Sequence, residues 1–271
     1  MEKMRLGVIG YGKMGSSLIK GALNSQLIAA RETKVCDADK ERIQLAARDG
    51  FTAVGGLKEA SCSDVILIAV KPKDVPAVLK ELSTFVLPGK CLILSIAAGV
   101  RLATLESGLG AGSRIIRLMP NLAASVNEAS TAFVANRWAL AADIAFTEAI
   151  LNGIGLSFKL EDESMLDAVT GISGSGPAYF LLLMKAMEKV GRSFGLPEEL
   201  ARSLVAQTCR GAGSLALKTD MSFDQLISAV ASPGGTTEEA LKVMEANNFS
   251  QTTVAAVSAA IQKSIKMGCN R

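Results

Sequence analysis

A strand-like run, Leu6 to Ile9, passes directly into Gly10-Tyr11-Gly12-Lys13-Met14-Gly15 and on into a helical pattern from Lys13 to Asn24. No other segment restricts the fold as tightly. The spacing is that of a dinucleotide-binding turn, and each glycine has a reason to be there. Gly10 permits a tight turn, Gly12 lets the backbone approach a pyrophosphate, and Gly15 lets the helix pack on the strand. The phosphates would rest on the N–H groups that open the helix. Asp37 closes the second strand about 20 residues further on, where an acid takes the adenosine ribose hydroxyls and favours NAD over NADP. Lys34, Lys40 and Arg42 stand nearby in sequence. They either offer a phosphate contact or form a solvated helix start, so this segment leaves the choice of cofactor open.

The next 150 or so residues keep the same rhythm. Strand patterns at Thr33–Cys36, Asp64–Val70, Cys91–Ser95 and Arg114–Leu118 alternate with helical patterns at Lys40–Arg48 and Asp74–Leu82. Thr131–Ala135 and Leu156–Leu160 read as added edge strands around a helix from Leu140 to Leu151. Asp64-Val-Ile-Leu-Ile-Ala-Val70 is a continuous apolar run, as expected of a strand covered on both faces. The predicted fold class is α/β, an N-terminal Rossmann domain with a doubly wound, mostly parallel sheet, over residues 1–160. From Glu161 the period-2 signal is lost. Helical patterns cover Glu163–Gly171, Pro177–Phe194, Pro197–Leu217, Ser222–Val230, Thr236–Glu245 and Ser250–Met267, which predicts an all-helical domain over residues 161–271.

Composition narrows the function. The chain has 271 residues, is 49% hydrophobic and carries a formal charge of +3. No like-charge cluster offers a nucleic-acid footprint. The mean hydropathy is +0.32, but the longest charge-free runs, Ala168–Met184 and Ala246–Gln262, are interrupted by small and polar residues. They fall short of the roughly 20 residues a membrane helix needs. The excess apolarity fits subunit burial better. There is no histidine, and the five cysteines are scattered without a C-x-x-C, so no zinc motif is present. The first residues enter the strand pattern without a leader-like stretch. The expectation is a cytoplasmic protein with reduced thiols.

Ligands of open α/β sheets sit at strand carboxyl ends. Three such ends carry candidate residues: Val70-Lys71-Pro72, Ser95-Ile-Ala97-Ala98-Gly99 and Met119-Pro120-Asn121. Lys71 is either a site cation or a solvated charge. Gly99 suggests close approach to a ligand, and Asn121 either bonds one or forms a turn. Ser173-Gly-Ser175-Gly-Pro177 joins two helical patterns, its serines serving as caps or as substrate contacts. Ser232-Pro233-Gly234-Gly235-Thr236-Thr237 leads into another helix with no cation inside it; the nearest are Lys218 and Lys242. Thr236 and Glu239 have capping-box spacing. A glycine loop before a helix exposes amides that bind an anion without lysine or arginine, although most such loops are connectors. Glu238 and Glu239 suit the helix dipole but oppose a bound anion.

Taken together, Gly10–Gly15, Val70–Pro72, Ser95–Gly99, Met119–Asn121, Ser173–Tyr179 and Ser232–Thr237 resemble the pyrroline-5-carboxylate reductase family over nearly the whole chain. Leu57 and Leu122-Ala123 depart from the family's usual residues. The resemblance implies reduction of the cyclic imine 1-pyrroline-5-carboxylate to L-proline by hydride from NADPH, with NADH possible, and a homodimer through the helical domain that can assemble into a ring of dimers. It places the substrate carboxylate on Ser232, Pro233, Gly234, Gly235, Thr236 and Thr237, with Ser175 nearby and the Thr237 hydroxyl toward the ring nitrogen. It places the cofactor along Gly10, Tyr11, Gly12, Lys13, Met14, Gly15, Asp37, Val70, Lys71, Pro72, Ala97, Ala98, Gly99, Pro120 and Asn121. The rival readings are a hydroxy-acid dehydrogenase, which would use a helical-domain lysine such as Lys185 or Lys189, and a non-catalytic NAD(P) sensor.

Overall fold

The computed structural model describes residues 3–269. The chain forms β1 (Leu6–Ile9), α1 (Lys13–Ala22), β2 (Lys34–Cys36), α2 (Lys40–Arg48), β3 (Thr52–Ala53), α3 (Leu57–Ser61), β4 (Val65–Ile68), α4 (Val75–Leu82), β5 (Leu92–Ser95), α5 (Leu102–Leu109), β6 (Arg114–Met119), β7 (Ala129–Ala135), α6 (Ala141–Asn152) and β8 (Gly155–Leu160). Helices follow: α7 (Met165–Val169), α8 (Gly176–Ser193), α9 (Glu198–Lys218), α10 (Phe223–Val230), α11 (Thr236–Ala246) and α12 (Phe249–Cys269). The eight strands make one sheet in the order β3-β2-β1-β4-β5-β6-β7-β8. Every pairing is parallel except β6 with β7. This is the Rossmann order, extended at one side by β7 and β8.

The sheet forms because its strands are apolar on both faces. Every residue of β1, β4 and β5 is buried, and two clusters fill the layers above and below. One contains Val8, Leu67 and Leu94; the other contains Ile9, Ile66, Ile68 and Ile93. Alternate residues of a strand therefore feed opposite layers. Each such buried side chain contributes about 1.5–3 kcal/mol. α1 covers the first layer through Leu18, Ile19 and Ala22, which lie on one face by their spacing. α2 opens with Asp39, whose carboxylate accepts the Glu41 amide at 2.9 Å, a cap of the usual kind.

The chain divides into two compact units, residues 1–175 with 260–271, and residues 176–259. The first holds the sheet, α1 to α7 and the last part of α12. The second is helical. Within it α8 and α9 approach closely where α8 carries Gly191: a Cβ there would stand 3.3 Å from that of Ala201. Arg192 and Glu198 close the same corner at 3.1 Å. Among the described residues no helix is long and apolar enough to cross a membrane, and no cluster of three metal-ligating side chains occurs. Cys36, Cys62, Cys91 and Cys209 are free; the side chain of Cys269 lies outside the described residues.

Three short elements are absent from the sequence-based reading: β3, α3 and α5. The Thr131–Ala135 segment is also no edge. As β7 it lies inside the sheet, and β8 forms the edge.

Candidate active site

The sheet reverses its strand order between β1 and β4, and the crevice at their carboxyl ends is where such folds bind ligands. Gly10 lies at that point with φ +101°, and a Cβ there would meet the Ala69 carbonyl oxygen at 2.6 Å. A side chain at Gly15 would strike the Gly10 oxygen at 2.6 Å and the Ala69 Cβ at 2.9 Å. Gly12 differs: only the Arg42 guanidinium lies near its Cβ direction, at 3.6 Å. The first backbone bond of α1 runs from the Ser16 amide to the Gly12 oxygen. Among the described residues the amides of Gly12, Lys13 and Met14 have no acceptor. A bare glycine before three open amides fits a pyrophosphate.

The other fingerprint side chains do different work. Tyr11 is buried, packs edge-on against Phe51 and donates its hydroxyl to Asp49 at 2.6 Å. Its side chain therefore anchors the turn in the core, and only its backbone lines the crevice. Met14 packs against the core and Lys13 is exposed. Asp37 accepts the Tyr11 amide at 2.6 Å and the Asp39 amide at 2.9 Å. Its carboxylate is 7% exposed and lies 3.6 Å from Arg42. Asp37 thus fixes the turn to the end of β2, a role its position alone does not disclose.

The remaining strand ends are arranged as follows. Lys71 is exposed, and its carbonyl accepts the Asp74 amide where Pro72 starts a short turn into α4. Val70 is half-buried against the core. Ala97 is buried, with its amide 3.4 Å from the Ser95 hydroxyl. At Gly99 the close neighbour is protein: a Cβ there would lie 3.3 Å from the Met267 Cβ of α12. Its φ of +74° and packing on this helix both call for glycine here. Pro120 is buried, and Asn121 bonds on both sides. Its oxygen accepts the Ala123 amide at 3.2 Å, and its nitrogen donates to the Ser173 carbonyl and hydroxyl at 3.2 and 3.3 Å. Ser173 in turn donates to the Ser130 carbonyl at 2.9 Å. Ser173 is therefore a cross-link to β7. Ser175 follows a wide turn, its amide bonded to the Thr170 carbonyl at 2.9 Å.

A polar network beneath these strand ends had no signal in the sequence. Arg117 of β6 is 2% exposed and meets Glu163 at 2.6 Å. The same carboxylate oxygen of Glu163 accepts the Leu102 amide that opens α5, at 2.8 Å. Arg101 meets Asp167 at 2.6 Å, and Asp167 also accepts the Ser264 hydroxyl at 2.7 Å. Four charged side chains thus tie β6, α5, α7 and the end of α12 together. Isolated acids and bases dozens of residues apart carry no periodicity that would pair them.

The second unit contains the Ser232–Thr237 loop. Gly234 has φ +69°, and the Gly235 amide turns back to the Ser232 carbonyl at 3.0 Å. α11 begins at Thr236 as the spacing predicts, but there is no capping box: Gly235 is the cap and no side chain caps it. The acid that folds back is Glu238, whose carboxylate accepts the Gly234 amide at 2.6 Å. The first helical bond runs from Glu239 to the Gly235 carbonyl. Among the described residues the amides of Thr236, Thr237 and Glu238 have no acceptor. The Thr237 hydroxyl, half-buried, also makes no hydrogen bond there. Lys185 and Lys189 of α8 are exposed.

A Rossmann sheet whose glycine turn leaves three amides open, in a chain whose helical unit carries a second open-amide turn, has the parts of a two-part nucleotide-dependent oxidoreductase. The comparisons narrow that class. The family model for pyrroline-5-carboxylate reductase dimerisation matches residues 163–267, and that for NADP oxidoreductase, coenzyme F420-dependent, matches residues 5–99. Pyrroline-5-carboxylate reductase of Pseudomonas aeruginosa is 38% identical over 269 residues, covering 98% of both chains. The enzyme of that name from Methanosarcina acetivorans is 34% identical and covers 99% of both. The crystal structure of Plasmodium falciparum pyrroline carboxylate reductase with NADP bound superposes with a TM-score of 0.89 at 32% identity, covering 99% of each chain. The chain belongs to the pyrroline-5-carboxylate reductase family.

Proposed function

We infer that this chain reduces 1-pyrroline-5-carboxylate to L-proline, with NADPH as reductant and NADH as the second choice. The observation that carries this reading is the open amide cradle at the start of α11, in a chain without histidine. The substrate carboxylate is held by the Thr236 and Thr237 amides, aided by the helix dipole, which is worth up to about 2 kcal/mol in a partly buried site. The shape of the loop comes from Ser232, Pro233, Gly234 and Gly235. Thr237 turns its hydroxyl to the ring nitrogen, hydrogen-bonding it as it becomes an amine. A cyclic imine is already an electrophile, so no nucleophile or metal is asked of the protein. Its task is to position the reactants.

The cofactor, when bound, supplies the hydride. Gly12, Lys13 and Met14 hold its pyrophosphate by their amides, with Gly10 and Gly15 setting the turn. Ala97, Ala98, Gly99, Pro120 and Asn121 border the nicotinamide, Val70, Lys71 and Pro72 run alongside, and Ser175 lies on the substrate side. Asp37 spends its oxygens on two amides, and Arg42 beside it is 44% exposed, which is why neither NADPH nor NADH is set aside. In functional terms residues 1–160 serve the cofactor and residues 161–271 serve substrate and dimerisation. The dimers assemble into a ring, and the protein works in the cytoplasm, where its free thiols stay reduced. Following NADPH and NADH oxidation with 1-pyrroline-5-carboxylate tests the reading; absence of turnover with either reductant overturns it.

A further inference from the structure

An anion cradle followed at once by Glu238 and Glu239 faces an electrostatic objection. Two carboxylates in the first turn of α11 repel the carboxylate the cradle is to hold. The structure answers it with Lys242, one turn further along. Its ammonium group lies 3.3 Å from Glu238 Oε1 and 2.8 Å from Glu239 Oε1. The other oxygen of Glu238, Oε2, accepts the Gly234 amide at 2.6 Å. Gly234 has a left-handed φ of +69° that a loop can leave as readily as enter, so this bond pins the loop to the helix. Among the described residues the amides of Thr236, Thr237 and Glu238 stay open.

Given Ser232–Thr237 as the carboxylate cradle, on which this rests, we propose that Lys242 and Glu238 are positioning residues for substrate binding. Glu238 stitches the loop into its amide-presenting shape. Lys242 cancels part of the charge this requires, lowering the local sum from two negative charges to one. Neither touches the reacting atoms. The lysine falls outside the loop in sequence, and only the helical turn brings it back to the acids.

The test uses the full-length enzyme at saturating NADPH. KM and kcat are measured for 1-pyrroline-5-carboxylate and for 1-pyrroline, the same ring without the carboxylate. Lys242→Ala is expected to raise KM for the carboxylated imine about twofold to fivefold, the range for an exposed charge. Its kcat changes less, and KM for 1-pyrroline stays as in the wild type. The KM increase shrinks in high salt. Lys242→Arg retains the wild-type KM. Adding Glu238→Gln to Lys242→Ala recovers most of it, because glutamine can still accept the Gly234 amide without the charge. An unchanged KM in Lys242→Ala, an equal rise for both imines, or no recovery in the double variant overturns the proposal. If the wild type binds both imines equally well, the carboxylate cradle itself is wrong and the proposal falls with it.

Discussion

Thr237 is the residue on which the proposed chemistry turns. Its hydroxyl is half-buried in the first turn of α11, with no hydrogen bond among the described residues to compete for it. Thr237→Ala is expected to lower kcat roughly tenfold to a hundredfold, the worth of a hydrogen bond to a charged group, while the Kd for NADPH hardly moves. Equal loss of both in stopped-flow and titration measurements would place Thr237 elsewhere. Cys36 makes a second point at this scale. Burial, followed by the nearby charge of Asp37, pushes its thiol up from an ordinary 9.0 to about 12. A raised thiol pKa favours the neutral form in the folded state. The associated stability is complete below about pH 9 and is lost as pH climbs towards 12. Thermal midpoints across pH 8–11 are expected to fall in the wild type and to fall less steeply in Cys36→Ala. Thiol reagents at pH 8 should modify exposed Cys62 and spare buried Cys36 and Cys91; rapid native labelling of Cys36 would contradict this burial. The sequence made Thr237 visible through the glycine loop in front of it. It hid the job of Asp37, because accepting the Tyr11 amide depends on how two strands lie side by side.

At the scale of elements, the strand ends owe their placement to buried charge. Arg117→Met removes the partner of Glu163 and leaves that carboxylate with the Leu102 amide alone. Breaking a buried pair costs about 3–5 kcal/mol, and Glu163, at 22% side-chain exposure, recovers some hydration. The expected loss is about 2–3 kcal/mol in urea unfolding; a loss below about 0.5 kcal/mol would show that the network is incidental. Elements are legible where the local signal is strong: α2 through its Asp39 start and its charged, helix-favouring residues, and β1, β4 and β5 as continuous apolar runs. β3 has two residues, both exposed, and α3 has five, too few for a period to show. α5 carries Gly108 near its end, which weakens a helical pattern. The capping box shows the limit of spacing arguments. The helix started where it was expected, but the carboxylate that folds back belongs to Glu238, and it reaches a loop amide.

At the scale of the whole molecule, the helical unit leaves large apolar side chains uncovered. Leu182 of α8 is 69% exposed and Phe223 of α10 is 76% exposed, against the usual sparsity of such residues on a monomer. The match of residues 163–267 to a dimerisation family supports self-association. Light scattering is expected to give a dimer or larger, and Leu182→Glu with Phe223→Glu to shift it towards monomer with a lowered Tm. A monomeric wild type at micromolar concentration would contradict this. The division into a nucleotide sheet and a helical half was legible in the loss of period-2 pattern after Leu160, whereas the return of the end of α12 to the sheet, with Ser264 on Asp167 and Met267 over Gly99, was not. A helix carries no local mark of the element it will meet. The most direct measurement remains turnover itself. Purified oligomeric protein that binds NADPH should oxidise it on addition of 1-pyrroline-5-carboxylate, yield proline in equal amount, and run no reverse reaction of NADP with a panel of hydroxy acids. Cofactor binding without imine turnover, or oxidation of a hydroxy acid in its place, would contradict the assignment.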